Sequence, residues 1–219
     1  MAPFGTIYSY PDNPRVQKIR AVANINGLTI DDAEFKMGET NRTEDFLSKF
    51  PMGKAPAFSS ADGVHIFESN AIAHYVADSG PAREQLLGAN PAERARVQQW
   101  VTMSEGEVFS HIVTCLLPRL GYVPFNQAAE DKALSNVDRA LGALEKALNG
   151  RTWLATEKLS LADISVAAAL VWGFKLVLDS EIRAKYPVLM AWYKRVMDSE
   201  GVKEAFGETT FIEKRQVPQ

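Results

Sequence analysis

The chain has 219 residues, 46% of them hydrophobic and 23% charged, with a net charge of −3. That length and balance suit one large or two small cores and give no electrostatic case for nucleic acid or an anionic membrane as partner. A single cysteine, Cys115, excludes an internal disulfide or a thiolate zinc cluster, and with only His65, His74 and His111 no histidine metal site is expected.

In chain order, "MAPFGTIYSY" lacks a basic region followed by an apolar run and is not read as a signal peptide. Its "GTIYSY" is β-branched and aromatic, which predicts a first strand, and "PDNP" is a turn. "RVQKIRAVANING" has helical spacing, with Val16, Ile19, Val22 and Ala23 on one face and Gly27 as its stop. "LTIDDAEF" reads as a second strand. A strand, helix and strand in succession predict a parallel pair joined by a right-handed crossover. "TEDFLSKFP" is a short helix opened by Thr43 and closed before Pro51. "GKAPAFSSADGVHIFESNAIAHYV" then gives a hairpin with "SADG" as its turn and a helix from Ser69 to Asp78.

"SGPAREQLLGANP" is punctuated by glycine and proline and reads as a linker. Beyond it no strand is expected. Pro91 suits the first turn of a long helix running to Pro118. "NQAAEDKALSNVDRALGALEKALNG" predicts an amphipathic helix with Ala133, Val137, Leu141, Leu144 and Leu148 on its apolar stripe and Gly150 as its stop. "LSLADISVAAALVWGFKLV" is apolar nearly all round and is expected at the centre of this half. "PVLMAWYKRVMDSEGV" is a further helix begun by Pro187. No apolar run approaches the roughly 20 residues of a membrane span, and a cytoplasmic, reducing setting is expected. The chain therefore divides into an α+β domain, residues 1–80, and an all-α domain, residues 90–219.

Two readings are open for Pro56. It is an ordinary strand-entrance proline, or the Ala55–Pro56 bond is cis and turns the Ala55 backbone toward an extended peptide ligand. Two are also open for "ESNAI". Glu68 simply complements the helix N-terminus that Ser69 caps, or the pair clamps a zwitterion: the ligand carboxylate on the helix N–H groups and the Ser69 hydroxyl, its ammonium on Glu68. The sharper readings together describe a site for a small peptide with a free α-amino acid end. Glutathione is such a peptide.

"GTIYSYPDNPRVQKIRAVANINGL", "FLSKFPMGKAPAF" and "FESNAIAHYVA" resemble the thioredoxin-like domain of cytosolic glutathione transferases. "LSLADISVAAAL" is similar to their helical-domain signature, in which a capping box, here Ser160 and Asp163, opens the buried helix. More narrowly, "TIYSYPDNPR", "GKAPAF", "FESNAIAHYV", "LADISV" and "FGETTFIEK" resemble the transferase-like N-terminal domain of the gamma subunit of translation elongation factor 1; phi and theta class enzymes are more distant.

The resemblance implies a two-domain glutathione transferase fold, thioredoxin-like then all-α, and glutathione as co-substrate without a metal. It implies that Ala55, before a cis Pro56, pairs with the cysteinyl backbone, that Glu68 and Ser69 hold the γ-glutamyl end, and that Arg42, helped by Lys54, holds the glycyl carboxylate. The thiol activator departs from the pattern. Tyr8 lies where tyrosine classes carry theirs and Asn13 where serine classes carry serine; Arg15 is a further candidate, and Ser9 and Tyr10 are neighbours. Tyr8 also reads as a packed sheet aromatic. Met103, Glu107, His111, Trp172 and Phe206 are expected to line the electrophile site, unless they simply pack; Cys115 reads as a packed helix residue. Two functions are implied: a detoxifying transferase acting on small apolar electrophiles, expected as a homodimer, or a scaffold domain docking the nucleotide-exchange subunit of the elongation factor complex. A whole product ending at "EKRQVPQ", with no Lys-rich linker, is expected to be the transferase; the head of a longer chain is expected to be the scaffold.

Overall fold

A computed structural model describes residues 2–216. β1 (Gly5–Tyr8) turns Gly5 and Ile7 into the core and leaves Thr6 and Tyr8 on the opposite face. α1 (Pro14–Ile25) begins with proline at its first position, where no donor is lost, and Asn13 caps it by accepting from the Arg15 N–H at 3.0 Å. Val16, Ile19, Val22 and Ala23 are buried along its inner face. β2 (Ile30–Asp32) lies parallel to β1, with Gly5 opposite Ile30. It is shorter than the eight-residue run that reads as a strand, because pairing ends after Asp32. A 3₁₀ turn over Thr40–Arg42 leads into α2 (Glu44–Lys49), whose N-cap Thr43 accepts from Phe46 N–H at 3.3 Å.

β3 (Ala57–Ser60) and β4 (His65–Phe67) form the expected hairpin, closed by Gly63 N–H to Ser60 C=O at 3.1 Å. The sheet order is β2-β1-β3-β4, with β3 antiparallel to both neighbours. α3 (Ser69–Asp78) follows β4 directly.

The predicted linker is more structured than its composition implies. It contains α4 (Arg83–Leu87), and Asn26, beyond the end of α1, ties the last turn of α3 to the residue just before α4. Asn26 Nδ2 donates to the carbonyls of Val76 and Ala77 at 2.8 and 3.2 Å, while Oδ1 accepts from Ala82 N–H at 2.8 Å. Gly80 is required at this crossing, since a Cβ there would overlap the Asn26 side chain.

The helical domain begins with α5 (Pro91–Met103) and α6 (Ser110–Arg119). The single long helix expected from Pro91 is therefore interrupted: Ser104–Phe109 is a π-helical turn, and Pro118 lies within the last turn of α6 rather than beyond it. α7 (Gln127–Leu148) buries its predicted stripe against α6 and α10 (Pro187–Met197). α8 (Leu161–Leu176) is the central helix, buried almost throughout. The capping box forms and gains a third function: Asp163 accepts from Ser160 N–H at 3.1 Å, Leu154 N–H at 2.9 Å and Trp192 Nε1–H at 2.9 Å. Burial pushes its carboxyl above the usual range, opposed by these donors. α9 (Ser180–Ala184) and α11 (Val202–Phe206), too short for their periodicity to be read, complete the domain. Asn24 Nδ2 donates to Gly201 C=O at 2.9 Å and ties α1 to the start of α11. No helix among the described residues is long and apolar enough to cross a membrane.

Candidate functional site

Sheet register gathers the candidate residues at one end of the sheet. Tyr8 pairs with Ala57 and Ala57 with Phe67. Pro56 and Glu68 thus lie one step beyond the last pair of the hairpin, beside Ser9 one step beyond the end of β1. The N-termini of α1 and α3 open at this same end. Of the two readings of Pro56, the structure has the cis form. Neither the N–H nor the C=O of Ala55 pairs with another backbone group among the described residues.

Glu68 has φ +70 and ψ 114, a backbone conformation that side-chain-bearing residues avoid, and its carboxylate is exposed. Ser69, 5% exposed, is the first residue of α3. Beneath it lies a residue that local periodicity does not single out. Lys18, on the inner half of α1, is 3% exposed; its Nζ donates to Ser69 Oγ at 3.3 Å and to Asn70 Oδ1. Lys18 makes no ion pair among the described residues; Glu105, the carboxylate that acts on it electrostatically, is paired with Arg15. Burial pulls the Lys18 ammonium down to about 8; Glu105 opposes this and Arg15 reinforces it. The available signal was a lysine four residues before Val22, on the buried side of α1.

Arg42 and Lys54 are both exposed, and neither makes an ion pair among the described residues. The buried Asn41 brings their segments together, accepting from Gly38 N–H and donating to Gly53 C=O, both at 2.6 Å. Gly53 has φ +57 and approaches Asn41 so closely that a Cβ would crowd its carbonyl at 3.0 Å.

Around the start of α1, Tyr8 packs its ring against Phe46 and Phe50 on the α2 face of the sheet, at centroid distances of 5.8 and 5.6 Å. Asn13 is 1% exposed; besides capping α1 it donates from Nδ2 to Ser9 Oγ at 3.1 Å. Arg15 pairs with Glu105 of the π turn and stacks over Phe109, 4.1 Å from the ring centroid. Burial raises the Tyr10 phenol, and nearby Arg15 lowers it.

The expected electrophile residues separate. Phe109 stacks on Trp172 at 5.5 Å. Trp172 and Phe206 share a cavity of about 180 Å³ with Asp12, Gln17 and Tyr193, between α1, α8 and the segment after α11. Gln17 Oε1 is buried there without a hydrogen-bond partner among the described residues. Met103, Glu107 and His111 do not line it; Glu107 pairs with Arg139 of α7 at 2.6 Å. Cys115 is fully buried, and burial pushes its thiol up to about 11. No cluster of metal-ligating side chains occurs among the described residues.

Residues 3–78 match the family described as glutathione S-transferase, N-terminal domain, and residues 107–200 match glutathione S-transferase, C-terminal domain. The chain is 45% identical over 217 residues to the glutathione S-transferase-like protein LUC7 of a Fusarium species, covering 99% of both. It is 38% identical over 214 residues to elongation factor 1-gamma of Danio rerio, covering 96% of this chain but only 47% of that one, so it spans about half of that relative's length. Among solved structures, the GST-like domain of elongation factor 1-gamma from Saccharomyces cerevisiae superposes with a TM-score of 0.85 at 26% identity, covering 100% of both chains. A theta class glutathione S-transferase from Xanthomonas axonopodis pv. citri, with glutathione bound, gives 0.82 at 21% identity, covering 95% of this chain and 99% of that one; at that identity the likeness concerns the fold.

Proposed function

The chain belongs to the glutathione S-transferase family, and on that premise we propose that it joins the thiolate of glutathione to small hydrophobic electrophiles. The observation that carries this reading is the convergence at one sheet end of an unpaired Ala55 backbone, the exposed Glu68 carboxylate and the α3 N-terminus with Ser69. In this reading Ala55 pairs with the cysteinyl backbone. Glu68 takes the γ-glutamyl ammonium, Ser69 and the α3 amides take its carboxylate, and Arg42 and Lys54 take the glycyl carboxylate. The thiol then faces the start of α1.

Three candidates for activating it are Tyr8, Asn13 and Arg15, but the hydroxyl best disposed to donate is Ser9. Its oxygen already accepts from Asn13, which leaves its own hydrogen free for the sulfur. Asn13 then acts through Ser9, and Arg15 adds positive charge, attenuated by Glu105. The thiolate attacks the electrophilic carbon. A C–S bond forms, the leaving group departs with its electron pair, and the thiol proton passes to solvent. Trp172 and Phe206 offer apolar surface for the acceptor. A homodimer in the cytoplasm is part of this reading. The test is glutathione conjugation of an activated aryl halide by the purified chain. A rate no higher than the uncatalysed one across several such acceptors would refute it.

Likeness to elongation factor 1-gamma along nearly the whole chain favours a second reading, a domain that docks the nucleotide-exchange subunit of that complex. Co-purification with that subunit, without conjugation activity, is its expected signature.

A further inference from the structure

Lys18 is a costly feature for a fold to retain. A lysine ammonium can only donate hydrogen bonds, and here it is sealed under α3 with two neutral oxygens as partners and no ion-paired carboxylate among the described residues.

The consequence of that one-way chemistry lies in its partners. Ser69 Oγ accepts from Lys18, so the Ser69 hydroxyl hydrogen points elsewhere. Asn70 gives its oxygen to Lys18, so its amide hydrogens also point elsewhere. Both groups stand in the first turn of α3, a ten-residue helix whose free N–H groups already favour an anion. Two side-chain donors, the helix end and a buried positive charge thus converge on one spot. The charged groups that act on Lys18 are Arg15 on α1 itself and Glu105 on the π turn, which oppose each other and are paired.

We propose that Lys18 is a positioning residue for the α-carboxylate of the γ-glutamyl group: its buried ammonium polarises Ser69 and Asn70 as donors toward that carboxylate and supplies its counter-charge. This rests on the glutathione-binding reading above. A neutral Lys18 would present a lone pair, and Ser69 could then turn its hydrogen inward and cease to donate to the ligand. Burial holds Lys18 down to about 8, so this reversal falls within an accessible range. The carboxylate, once bound, raises it again, so ligand binding above about pH 8 takes up a proton.

The probe is S-methylglutathione, which has no titrating thiol. Its affinity is measured by calorimetry on the parent, Lys18→Met and Lys18→Arg near pH 7 and near pH 9, in buffers of differing ionisation enthalpy. The ligand ammonium titrates equally in all three, so differences between variants isolate Lys18. Lys18→Met is expected to weaken binding about tenfold or more near pH 7, and Lys18→Arg to stay within about threefold of the parent. The parent is expected to take up more protons than Lys18→Met near pH 9. Equal affinity of Lys18→Met and parent near pH 7, or equal proton uptake near pH 9, overturns the inference. If Glu68→Ala still weakens binding in that case, the glutathione reading stands without it. If the parent does not bind the probe at all, both fall. Should Lys18→Met fail to fold, proton uptake by the parent against Lys18→Arg, which stays charged, decides.

Discussion

The carboxamide nitrogen of Asn13 donates to the hydroxyl of Ser9 at 3.1 Å, while the oxygen of the same carboxamide caps α1. One side chain therefore fixes both the start of the helix and the direction in which the neighbouring hydroxyl can donate. Free cysteine thiol titrates near 8.5, so only a few per cent of glutathione is thiolate at neutral pH. Ser9→Ala is expected to move the bound thiol toward that value by about one unit, or roughly 1.4 kcal/mol. Asn13→Ala is expected to give a smaller shift, and Tyr8→Phe little. The pH profile of conjugation for the three variants checks this; a thiol that titrates alike in Ser9→Ala and the parent removes Ser9 from the mechanism.

Glu68 is held at positive φ, which glycine adopts more readily. Glu68→Gly is expected to stabilise the ligand-free protein by about 1 kcal/mol while weakening glutathione at least about tenfold, through loss of the charge-assisted contact. Thermal denaturation and calorimetry on one preparation test both halves. A variant that is less stable yet binds normally would contradict the role given to this residue.

The ammonium of Lys18 is lowered from 10.5 to about 8 in the folded protein. Between those values the unfolded chain holds a proton that the folded one has released, so stability rises with pH across that window, by up to roughly 3 kcal/mol. Below about pH 8 both states are protonated and the burial penalty stands in full. The buried Cys115 thiol acts in the opposite sense above about pH 9 in both proteins, so chemical denaturation should show the Lys18 contribution as the difference in stability between parent and Lys18→Met, rising from about pH 8 to 10.

Arg119 and Glu130 form a buried two-pronged pair between α6 and α7, with N–O distances of 2.6 and 2.8 Å, and Arg119 Nε reaches on to the Gln216 carbonyl at 2.9 Å. Removing one partner strands the other, so Arg119→Met or Glu130→Gln should cost about 3–5 kcal/mol. The pair holds the Glu130 carboxyl below its ordinary range. Its contribution is thus complete above the unfolded carboxyl value and is lost as pH falls through the folded one. Acid titration of parent and Glu130→Gln should converge at the low end.

What the sequence discloses is what neighbours within a turn or two decide. The proline starts of α5 and α10, the Thr43 and Ser160 caps, the "SADG" turn and the β-to-α passage at Glu68 and Ser69 all rest on local stereochemistry. The contacts that shape the site reach further. Lys18 meets α3 across 51 residues and Arg15 meets Glu105 across 90, and no periodicity encodes such pairings. The π turn is hidden for a related reason: its residues have helical character either way, and only packing selects the wider turn.

The Asn26 clamp bears on where this chain can be opened. Composition points to residues 79–90 as the seam, with glycine, proline and polar residues in abundance. Yet Asn26 holds Ala82, near the start of that stretch, to Val76 and Ala77 at the end of α3, and a graft or a new pair of chain ends between Ser79 and Ala82 would open this joint. The turn after α6 is the forgiving place, since Tyr122 stands 74% exposed at its crest. A permuted or domain-inserted version of this protein should begin there.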